Sequence, residues 1–487
     1  MLLRTFSALY ERASFVKGLR REPCTRVTKR RGFATARALL RLRSLITLFF
    51  NQPSSWTEIS MGTYEQCHWL SDTWGMNRSE RRSGTYRPYV PDMLCQQEIL
   101  LTPSVAQVVA RAQSDIALLN EHVTHLVGAE PLTRLILRSE AMASSKIEGL
   151  TMSASKLLEY EALEELGVHP YLDRNEAAVL ANISSMRDGI ERANQDGPLT
   201  VDTICTMNRL LLERTDMESF GGKLRDVQNW IGGNNANPID AAYVPPAPER
   251  VPELMDDLAA FANSSKLPPV AVAAIAHAQL ETVHPFVDGN GRTGRALVHV
   301  ILRRAGLATR TVPPVSLVLA TDRTRYIEHL TAFRTDQDDS TSPSFIEAAN
   351  AWTEYFANAL IQSCAQASSF EERLSEIEAS WRKIARPRAR SAADILIGKL
   401  IDNPVVSIES ARRLTGRSYE AARLAVASLE RAGILVQSAR NRKSRIYTAP
   451  DVLDAFTYYE RSLATPGGDT AVAKPMRPIP QRPRRKQ

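Results

Sequence analysis

The chain has 487 residues, enough for two or three domains, and 44% of them are hydrophobic, as in an ordinary globular protein. The net charge of +7 is uneven, with +10 on residues 1–50, +5 on residues 466–487 and −8 on the body between them, which argues against a dedicated nucleic-acid-binding protein. No apolar run approaches the length of a membrane span, and the five scattered cysteines, in neither disulfide nor metal-ligand spacing, predict a reducing cytoplasm.

The two ends of the chain are predicted to lie outside the fold. Residues 1–60 are rich in arginine, poor in acidic residues and without sustained periodicity. Two expectations fit that composition: an organellar targeting peptide, or a start codon placed too early, with Met61 or Met76 as the true beginning. At the other end, residues 456–487 are predicted to form a disordered basic tail.

Residues 61–175 are predicted to form an N-terminal helical region. From about Ser104 apolar residues recur at intervals of three and four, as on one face of a helix. Ser144 and Glu148 lie four residues apart and therefore on the same helical face, and Gly149 suits a helix C-cap. The sequence thus places a hydroxyl group and a carboxylate side by side at the end of a helix.

Residues 176–365 are predicted to form the helical core of the protein. Two helical patterns, the second over 201–213, precede a stretch from 221 to 246 with four glycines, three prolines and short β-prone pieces. Such a composition between helices predicts a β-hairpin or flap, with Tyr243 and Val244 near its end.

The most specific stretch of the sequence runs from His284 to Arg295 and reads HPFVDGNGRTGR. It follows an unbroken apolar run over 269–283, which predicts a buried helix that Pro285 ends. The glycine-flanked turn at 289–291 can bring backbone N–H groups together on an anion where the next helix begins. A phosphate bound there meets the positive end of the helix dipole.

Four side chains of this stretch suit nucleotide chemistry. Arg292 and Arg295 lie three residues apart on one helical face, and both can fork onto phosphate oxygens. Asp288 adds a hard oxygen ligand of the kind that Mg²⁺ takes alongside substrate phosphates. His284 titrates near neutrality and can accept a proton from a hydroxyl nucleophile. Together these groups predict transfer of a phosphate-bearing fragment from a nucleotide.

At these residues the chain resembles the Fic family (Fic/DOC), whose best-known members transfer AMP from ATP to a hydroxyl group of a protein. Chance agreement over so many specified positions is negligible. The resemblance implies a mainly α fold, with a helical core and a small β-hairpin flap, and a protein adenylyltransferase with ATP as substrate and Mg²⁺. Residues 83–91 also resemble the opening of family members, which favours the early start codon over a targeting peptide.

The resemblance implies a role for each residue of the signature. His284 becomes the general base and Asp288 the Mg²⁺ ligand. The residues assigned to the nucleotide are Gly289, Asn290 and Gly291 as an anion hole for the α- and β-phosphates, Arg292 and Arg295 as clamps on the β- and γ-phosphates, and Thr293 and Gly294 between them.

Two further segments take a role from the resemblance. Ser144 and Glu148 look like the family's inhibitory motif, Ser/Thr-xxx-Glu-Gly/Asn, whose glutamate pairs with the second arginine of the signature, here Arg295. A carboxylate on Arg295 occupies donors that the γ-phosphate needs, and its charge repels the triphosphate. Tyr243 and Val244 fall in the family's flap, which pairs with a target segment as an added strand. The alternative is a structural hairpin with no target role.

Residues 315–327 resemble the adenine-side segment of the family, with two departures. Asp322 stands where the family has asparagine, and Ile327 stands where it has the second of two tyrosines. Tyr326 is predicted to stack on the base, with simple packing as the alternative. The departures put the base preference in more doubt than the phosphate binding.

A linker and a second module are predicted after the core. Residues 366–390 are charged and helical, and a linker is predicted there. Residues 391–455 give three short helical patterns and two short strands around a basic tip at 440–443, which is the order of a winged-helix (α+β) domain. Basic side chains near its recognition helix and tip could meet DNA phosphates, namely Arg417, Arg423, Arg442, Lys443 and Arg445.

Three functional hypotheses follow. The first is an autoinhibited adenylyltransferase that modifies a Ser, Thr or Tyr hydroxyl of a target protein in the cytoplasm. The second is a DNA-binding regulator whose Fic core senses nucleotide, although the winged helix could instead dock protein or close a homodimer. The third keeps the enzyme but transfers another phosphate-containing group or removes AMP. None of them involves a membrane.

Overall fold

The structure is a computed structural model that describes residues 62–71, 81–125, 130–194, 197–234, 236–336, 338–339, 341–438 and 446–463. Most of these residues lie in helices. The prediction of a mainly α fold is confirmed. The α-helices are α1 Pro103–His125, α2 Glu130–Ile147, α3 Ala154–Glu164, α4 Arg174–Arg192, α5 Val201–Leu212, α6 Val251–Ser264, α7 Pro269–Val283, α8 Asn290–Arg304, α9 Val315–Thr321, α10 Arg323–Ala332, α11 Phe345–Ala385, α12 Ala392–Leu400, α13 Ile408–Thr415, α14 Tyr419–Arg431 and α15 Pro450–Leu463.

Within the described residues, short strands form three small antiparallel sheets. The strands are β1 Thr63–Tyr64, β2 Cys67–Trp69, β3 Gly84–Tyr86, β4 Tyr89–Val90, β5 Val405–Val406, β6 Val436–Gln437 and β7 Tyr447–Thr448. β1 pairs with β4, β2 pairs with β3, and β7 lies between β5 and β6. The first four strands were not predicted, because strands of two or three residues are too short to show an alternating pattern.

Helix α7 lies at the centre of the core. Its residues from Val270 to Val283 are all buried, because the sequence is apolar on every face of the helix. It packs against α6, α8 and α11, and Trp352 of α11 donates a hydrogen bond from its indole nitrogen to the carbonyl of Ala274 at 2.7 Å. The signature loop follows directly from the C-terminal end of this central helix and is therefore fixed to the best-packed part of the protein.

Buried polar contacts fix helix α2, which carries Ser144 near its C-terminal end and is followed by Glu148. The carboxylate of Glu140 accepts hydrogen bonds from the hydroxyl and backbone N–H of Ser316 at 2.5 and 2.7 Å, and lies 2.8 Å from His299 Nε2. All three residues are fully buried. Because a buried carboxylate without partners would be costly, this cluster holds α2 against α8 and α9.

The C-terminal module contacts the other end of α2. Asp402, whose side chain is fully buried, pairs with Arg134 at 2.6 Å and with Arg138 at 3.7 Å. Burial raises the pKa of Asp402 to about 6, and the two arginines oppose that rise. The module is therefore joined to the helix that precedes Glu148 and is not a separate appendage.

Two predicted boundaries differ from the structure. Residues 366–385, predicted as part of a linker, continue α11 without a break, and Trp381 is 1% exposed, so this segment is part of the packed fold. The prediction of disorder from residue 456 is wrong for 456–463, which belong to α15. Phe456 and Tyr459 recur at helical spacing there and pack their rings on Phe370. The tail beyond residue 463 and residues 1–60 lie outside the described residues.

Residues 391–455 contain helices and strands in the order that the winged-helix prediction requires, with β5, β7 and β6 as one sheet. Arg423 pairs with Glu420, and Arg417 donates to the carbonyl of Arg390 at 3.0 Å. The other three basic residues named for DNA contact lie outside the described residues, namely Arg442, Lys443 and Arg445. The winged-helix assignment stays a prediction.

Within the described ranges, no helix combines the length and apolar character that crossing a bilayer requires. The cysteines in those ranges are free thiols, as the spacing predicts; they are Cys67, Cys95, Cys205 and Cys364.

Candidate active site

His284 occupies a sharp turn at the end of α7. Its backbone is left-handed, with φ 48°, a conformation that few residues other than glycine adopt. Arg225 braces this turn from the predicted flap region, donating from Nε to the carbonyl of His284 at 2.9 Å and from its backbone N–H to the carbonyl of Pro285 at 2.9 Å. At this turn the chain leaves α7 and enters the loop that leads to α8, and the imidazole of His284 lies at the start of that loop.

Two amide side chains contact the imidazole. Nδ1 of His284 lies 3.0 Å from Nδ2 of Asn229 and 3.2 Å from Nδ2 of Asn290. Burial and, less strongly, the charges of Arg225 and Arg334 together lower the pKa of His284 to about 3, against a small opposing effect of Glu148. The ring is therefore neutral throughout the physiological pH range.

The turn before α8 is shaped to receive an anion. Gly289 has φ 82° at the N-cap, and the first hydrogen bond into the helix runs from the N–H of Thr293 to the carbonyl of Gly289 at 2.9 Å, so the N–H groups of residues 290–292 precede that bond. The side chain of Asn290 braces the loop by bonding both the N–H and the carbonyl of Phe286 at 2.8 Å. N–H groups of this kind, together with the helix dipole, are suited to an anion, so an anion site at this turn stays a prediction.

Arg295 is 1% exposed and contacts the two residues predicted as inhibitory. Its Nη2 donates to Oε1 of Glu148 at 2.7 Å and to the carbonyl of Ser144 at 2.7 Å, and its Nε donates to Oγ of Ser144 at 3.0 Å. The structure therefore brings together the pair that the sequence places 147 residues apart. Because Nε and Nη2 of Arg295 already donate to Ser144 and Glu148, they are not free to bind another anion.

The carboxylate of Glu148 also lies against the first turn of α8. A Cβ atom added to Gly291 would be 2.1 Å from Oε1 of Glu148, so only glycine leaves room for this approach. Burial opposes the charge on Glu148, but Arg295, and less strongly Arg292 and Arg323, outweigh that effect and lower its pKa. The carboxylate is thus ionised and lies where an anion bound to this turn would lie.

Glu281 is a second acidic neighbour of Arg295 that the sequence analysis missed. It lies on α7 one turn before His284, and its Oε1 is 3.9 Å from Nη1 of Arg295. Burial raises its pKa to about 7, Arg295 opposes that rise, and Glu148 adds to it. The signal was present in the sequence, since Glu281 is the one acidic residue in the otherwise apolar or uncharged run over 269–283.

Arg292 holds unsatisfied donors beside the turn. It is 4% exposed; one nitrogen, Nη2, donates to Oδ2 of Asp288 at 3.2 Å, whereas Nε and Nη1 are buried without a hydrogen-bond partner among the described residues. Buried guanidinium nitrogens normally have partners, so these donors indicate a site for a further acceptor. The Asp288 side chain is 46% exposed, and no cluster of three or more metal-ligating side chains occurs in the described part of the chain.

Tyr326 does not occupy the predicted base-stacking position. It is 2% exposed, its ring stacks on His277, and its hydroxyl lies 2.8 Å from His277 Nε2 and 3.5 Å from Nη1 of Arg295. Helix α10 turns Tyr326 toward the core, while Ile327 is 42% exposed. The prediction for Tyr326 is corrected to packing in the core and support of Arg295.

Thr293 and Gly294 also face the protein interior and not the turn. Thr293 is 1% exposed, with its hydroxyl 3.4 Å from Nδ2 of Asn208. A Cβ atom on Gly294 would lie 2.9 Å from Nδ1 of His277, a closer approach than real Cβ atoms show. Their assignment to the nucleotide is therefore corrected, because α8 directs both residues to its packed face.

Replacing Gly294 with alanine is expected to destabilise the fold by about 1–3 kcal/mol, because the added methyl group overpacks the contact with His277. The measurement is the free energy of unfolding in urea. Gly398→Ala is the matched control, since a Cβ there meets atoms no closer than 3.6 Å and helix propensity predicts a gain of up to about 1 kcal/mol. Equal stability of the two variants would contradict the packing around Gly294.

Among the described residues of the predicted flap, which exclude residue 235, the strand pairing consists of a single bridge between Ile231 and Tyr243. The N–H and carbonyl of Tyr243 both bond Ile231, and the carbonyl of Val244 accepts from the N–H of Tyr89 at 2.9 Å. Both side chains are buried, and the hydroxyl of Tyr243 donates to the carbonyl of Thr282 at 2.6 Å. The protein itself thus uses the backbone predicted to pair with a target, whereas Val227 and Ile231 on the other limb are 54% and 41% exposed.

Comparison with known proteins gives matches over the same region. Residues 198–302 match the family described as Fic/DOC family, and residues 106–191 match the one described as Fic/DOC family N-terminal. The second match includes Ser144 and Glu148, and the first includes the whole signature. The boundary between the two matches falls between α4 and α5.

Curated relatives share this region. The chain is 29% identical over 213 residues to a "Protein adenylyltransferase Fic" of Drosophila melanogaster, which covers 43% of this chain and 36% of the relative. It is 36% identical over 126 residues to "Protein adenylyltransferase fic-1" of Caenorhabditis briggsae, which covers 25% of this chain and 22% of the relative. The chain therefore spans about a third or less of the length of these relatives.

Two solved structures are similar in part. A Fic family protein from Desulfovibrio desulfuricans G20 aligns with a TM-score of 0.44 and 21% identity, covering 72% of this chain and 97% of that one. Fic-1 (aa134–508) from C. elegans aligns with a TM-score of 0.40 and 23% identity, covering 55% of this chain and 74% of that one.

Proposed function

We propose that the protein transfers AMP from ATP to a hydroxyl group of a target protein, on the premise that residues 106–191 and 198–302 match the Fic/DOC family. The observation that carries the proposal is the anion-binding turn at the start of α8. The first turns of α8 carry the backbone N–H groups of residues 290–292, Arg292 with two buried donors that have no partner among the described residues, and Arg295, whose guanidinium already binds the carboxylate of Glu148. Such a set suits the phosphates of a nucleotide better than any neutral ligand.

The proposed reaction uses His284 and the two arginines. A target hydroxyl attacks the α-phosphorus of ATP and gives its proton to His284, while the bond to the β-phosphate oxygen breaks and pyrophosphate leaves. Arg292 and Arg295 donate hydrogen bonds to the departing phosphates, whose negative charge increases as the bond breaks. The low pKa of His284 keeps the ring unprotonated, which a proton acceptor requires.

Asp288 is the proposed protein ligand of Mg²⁺. Its carboxylate is 46% exposed and uses only one oxygen on Arg292, so the other can face a metal ion. Mg²⁺ usually takes one or two protein carboxylates and completes its shell with water and substrate phosphates, so a single aspartate fits. When bound, the ion would neutralise charge on the β- and γ-phosphates.

Glu148 and Ser144 are the proposed inhibitory elements. The Glu148 carboxylate holds Arg295 and approaches Gly291, so it competes with the γ-phosphate for both the guanidinium and the turn. Ser144 adds two contacts to the same guanidinium and aligns it with Glu148. These contacts support the proposal that this conformation is the autoinhibited one and that ATP binding requires Glu148 to leave.

The C-terminal module is a weaker candidate for DNA contact than the signature is for nucleotide. Within the described part of the predicted recognition helix, Arg423 is neutralised by Glu420, while Tyr419 and Leu424 are 51% and 54% exposed. A neutral, partly apolar face suits protein docking, including a second copy of this chain, better than a phosphate backbone. A gel shift with steep salt dependence would instead favour DNA.

The test of the function is labelling of proteins in cell extract with ATP that carries the label on either the α- or the γ-phosphate. We expect label from the α-phosphate to reach protein and label from the γ-phosphate not to. Label from the γ-phosphate alone would indicate phosphoryl transfer. Loss of label from protein already modified, abolished by Glu148→Gln, would indicate removal of AMP. No labelling by the wild-type protein or by Glu148→Gly would contradict the proposed class of reaction.

A further inference from the structure

Asn229, in the flap region, lies slightly closer to the His284 ring than Asn290 does. Its Nδ2 lies 3.0 Å from Nδ1 of His284, 3.1 Å from the carbonyl of Phe286 and 3.3 Å from the carbonyl of His284. Carbonyl oxygens only accept hydrogen bonds, so the end of the amide that faces them must be the NH₂ group. The orientation of Asn229 is therefore fixed by its backbone neighbours.

The same reasoning fixes the amide of Asn290. The N–H of Phe286 can only donate, so it faces Oδ1 of Asn290, and the carbonyl of Phe286 faces Nδ2. The NH₂ group of Asn290 consequently lies 3.2 Å from Nδ1 of His284. Two amide NH₂ groups thus point at one ring nitrogen, and that nitrogen must accept.

This geometry decides where the neutral imidazole carries its proton. A neutral imidazole has one protonated and one bare nitrogen, and the hydrogen bonds of one nitrogen set the state of the other. With Nδ1 accepting from the amides, the proton lies on Nε2. A nucleophile's proton could then be accepted only at Nδ1, which the amides occupy, so the base is masked in this state.

The structure also contains the group that can reverse this state. Oδ1 of Asn229 is buried and has no hydrogen-bond partner among the described residues. Buried amide oxygens normally accept a hydrogen bond, so Oδ1 of Asn229 lacks an expected donor in this conformation. If the flap moves Asn229 away from the two carbonyls, its amide can turn over, and Oδ1 can accept a hydrogen bond from a protonated Nδ1. The longer contact of Asn290 with Nδ1, at 3.2 Å, must open in the same step, because its NH₂ group cannot donate to an N–H. The lone pair is then on Nε2.

We propose that Asn229 is a positioning residue that sets which nitrogen of His284 is bare, and that the flap unmasks the base by turning this amide. The inference rests on the proposed transfer reaction and adds a second means of inhibiting it, which acts on the base and is independent of Glu148. Val227 and Ile231 flank Asn229 in sequence and are exposed, so a target that contacts their side chains would act on the segment that carries Asn229. Binding of the correct target would then assemble the reactive site.

The charged groups around His284 define what a substitution should do. Arg225 and Arg334 lower its pKa and Glu148 raises it, so removal of Glu148 leaves the ring neutral at physiological pH. An aspartate at position 229 can only accept hydrogen bonds, and Arg225, which also bonds the His284 carbonyl, offsets part of its charge. In Asn229→Asp we therefore expect the proton of the neutral ring to lie on Nδ1, which leaves Nε2 unprotonated, and we expect the pKa of the ring to rise.

The direct experiment is NMR of the full-length protein with isotope-labelled histidine nitrogens, assigned among the eight histidines by the loss of one pair of signals in His284→Ala. We expect the wild-type ring to show a bare Nδ1 and a protonated Nε2, and Asn229→Asp to show the reverse. A protonated Nδ1 in the wild-type protein, or unchanged signals in Asn229→Asp, would overturn the proposal whether or not any transfer activity is found.

A kinetic experiment in the Glu148→Gly background adds a readout that a structural role would not move. Asn229→Ala should lower labelling from α-labelled ATP by about 10- to 100-fold, because the ring loses its alignment. Asn229→Asp should retain labelling but lose it as pH falls through a raised pKa, whereas the parent shows no such limb near neutrality. Lys223→Ala is the control from the same region, since Lys223 is exposed and its Nζ donates to the carbonyl of Ser219, and it should match the parent. Identical pH profiles for the parent and Asn229→Asp would count against the proposal.

Discussion

Replacing His284 with alanine in the Glu148→Gly background is expected to lower the rate of transfer from α-labelled ATP by about 10²- to 10⁴-fold, the range of general-base catalysis. Affinity for ATP should change little, because the groups that contact the phosphates belong to α8 and the turn before it. The imidazole lies beside this turn, with its neutral form favoured by burial. The measurements are the initial rate of protein labelling and the dissociation constant of ATP by calorimetry.

The control for His284→Ala is His169→Ala. His169 is 75% exposed and pairs with Glu164 on the surface, so its removal should leave both quantities unchanged. A His284→Ala protein that transfers AMP at the parent rate would refute the role of His284 as base. A protein that fails to bind ATP would instead show that His284 supports the phosphate-binding turn, and unfolding in urea would separate that result from loss of the fold.

Glu148→Gly is expected to raise the affinity for ATP by about 10- to 100-fold and to raise labelling with it. Releasing Arg295 from a charge-assisted hydrogen bond is worth about 1.5–3 kcal/mol, and about 1.4 kcal/mol corresponds to a tenfold change in affinity. The Glu148 side chain is 37% exposed, so solvent screening places the effect toward the lower end. Removing the carboxylate also frees the space beside Gly291.

Two further variants make this prediction sharper. Glu148→Gln keeps most of the side chain but removes its charge, so it should give a smaller rise in affinity than glycine. Glu165→Gly is the control, because it removes an exposed carboxylate from the end of another helix, where it pairs with Arg413, and should have no effect. Unchanged ATP affinity in Glu148→Gly would show that Glu148 does not compete with the nucleotide, even though it touches Arg295.

The local backbone structure of the signature could be predicted from the sequence alone. The apolar run over 269–283, Pro285 and the glycines at 289 and 291 specify a buried helix, a break and a tight turn, because these residues act through local backbone preferences. The structure has a helix, a left-handed turn and a second helix in those places. The spacing of Ser144 and Glu148 on one face follows from helical geometry in the same way.

Side-chain direction in the packed core required the tertiary structure. Tyr326, Thr293 and Gly294 belong to segments that the sequence analysis assigned to the site, yet helix packing turns all three inward. Glu281 comes into contact with Arg295 only because α7 and α8 pack side by side. A local pattern does not encode which neighbour a helix face will meet.

The flap shows the same division. Its glycines and prolines predicted an irregular segment between helices, because those residues limit the backbone locally. Only the fold decided that Tyr89 would pair with Val244 and that Asn229 would contact His284, since both contacts join segments far apart in sequence. The residue types of the candidate site could thus be predicted from local sequence. The partner of each side chain was decided by long-range packing, which local backbone preferences do not specify.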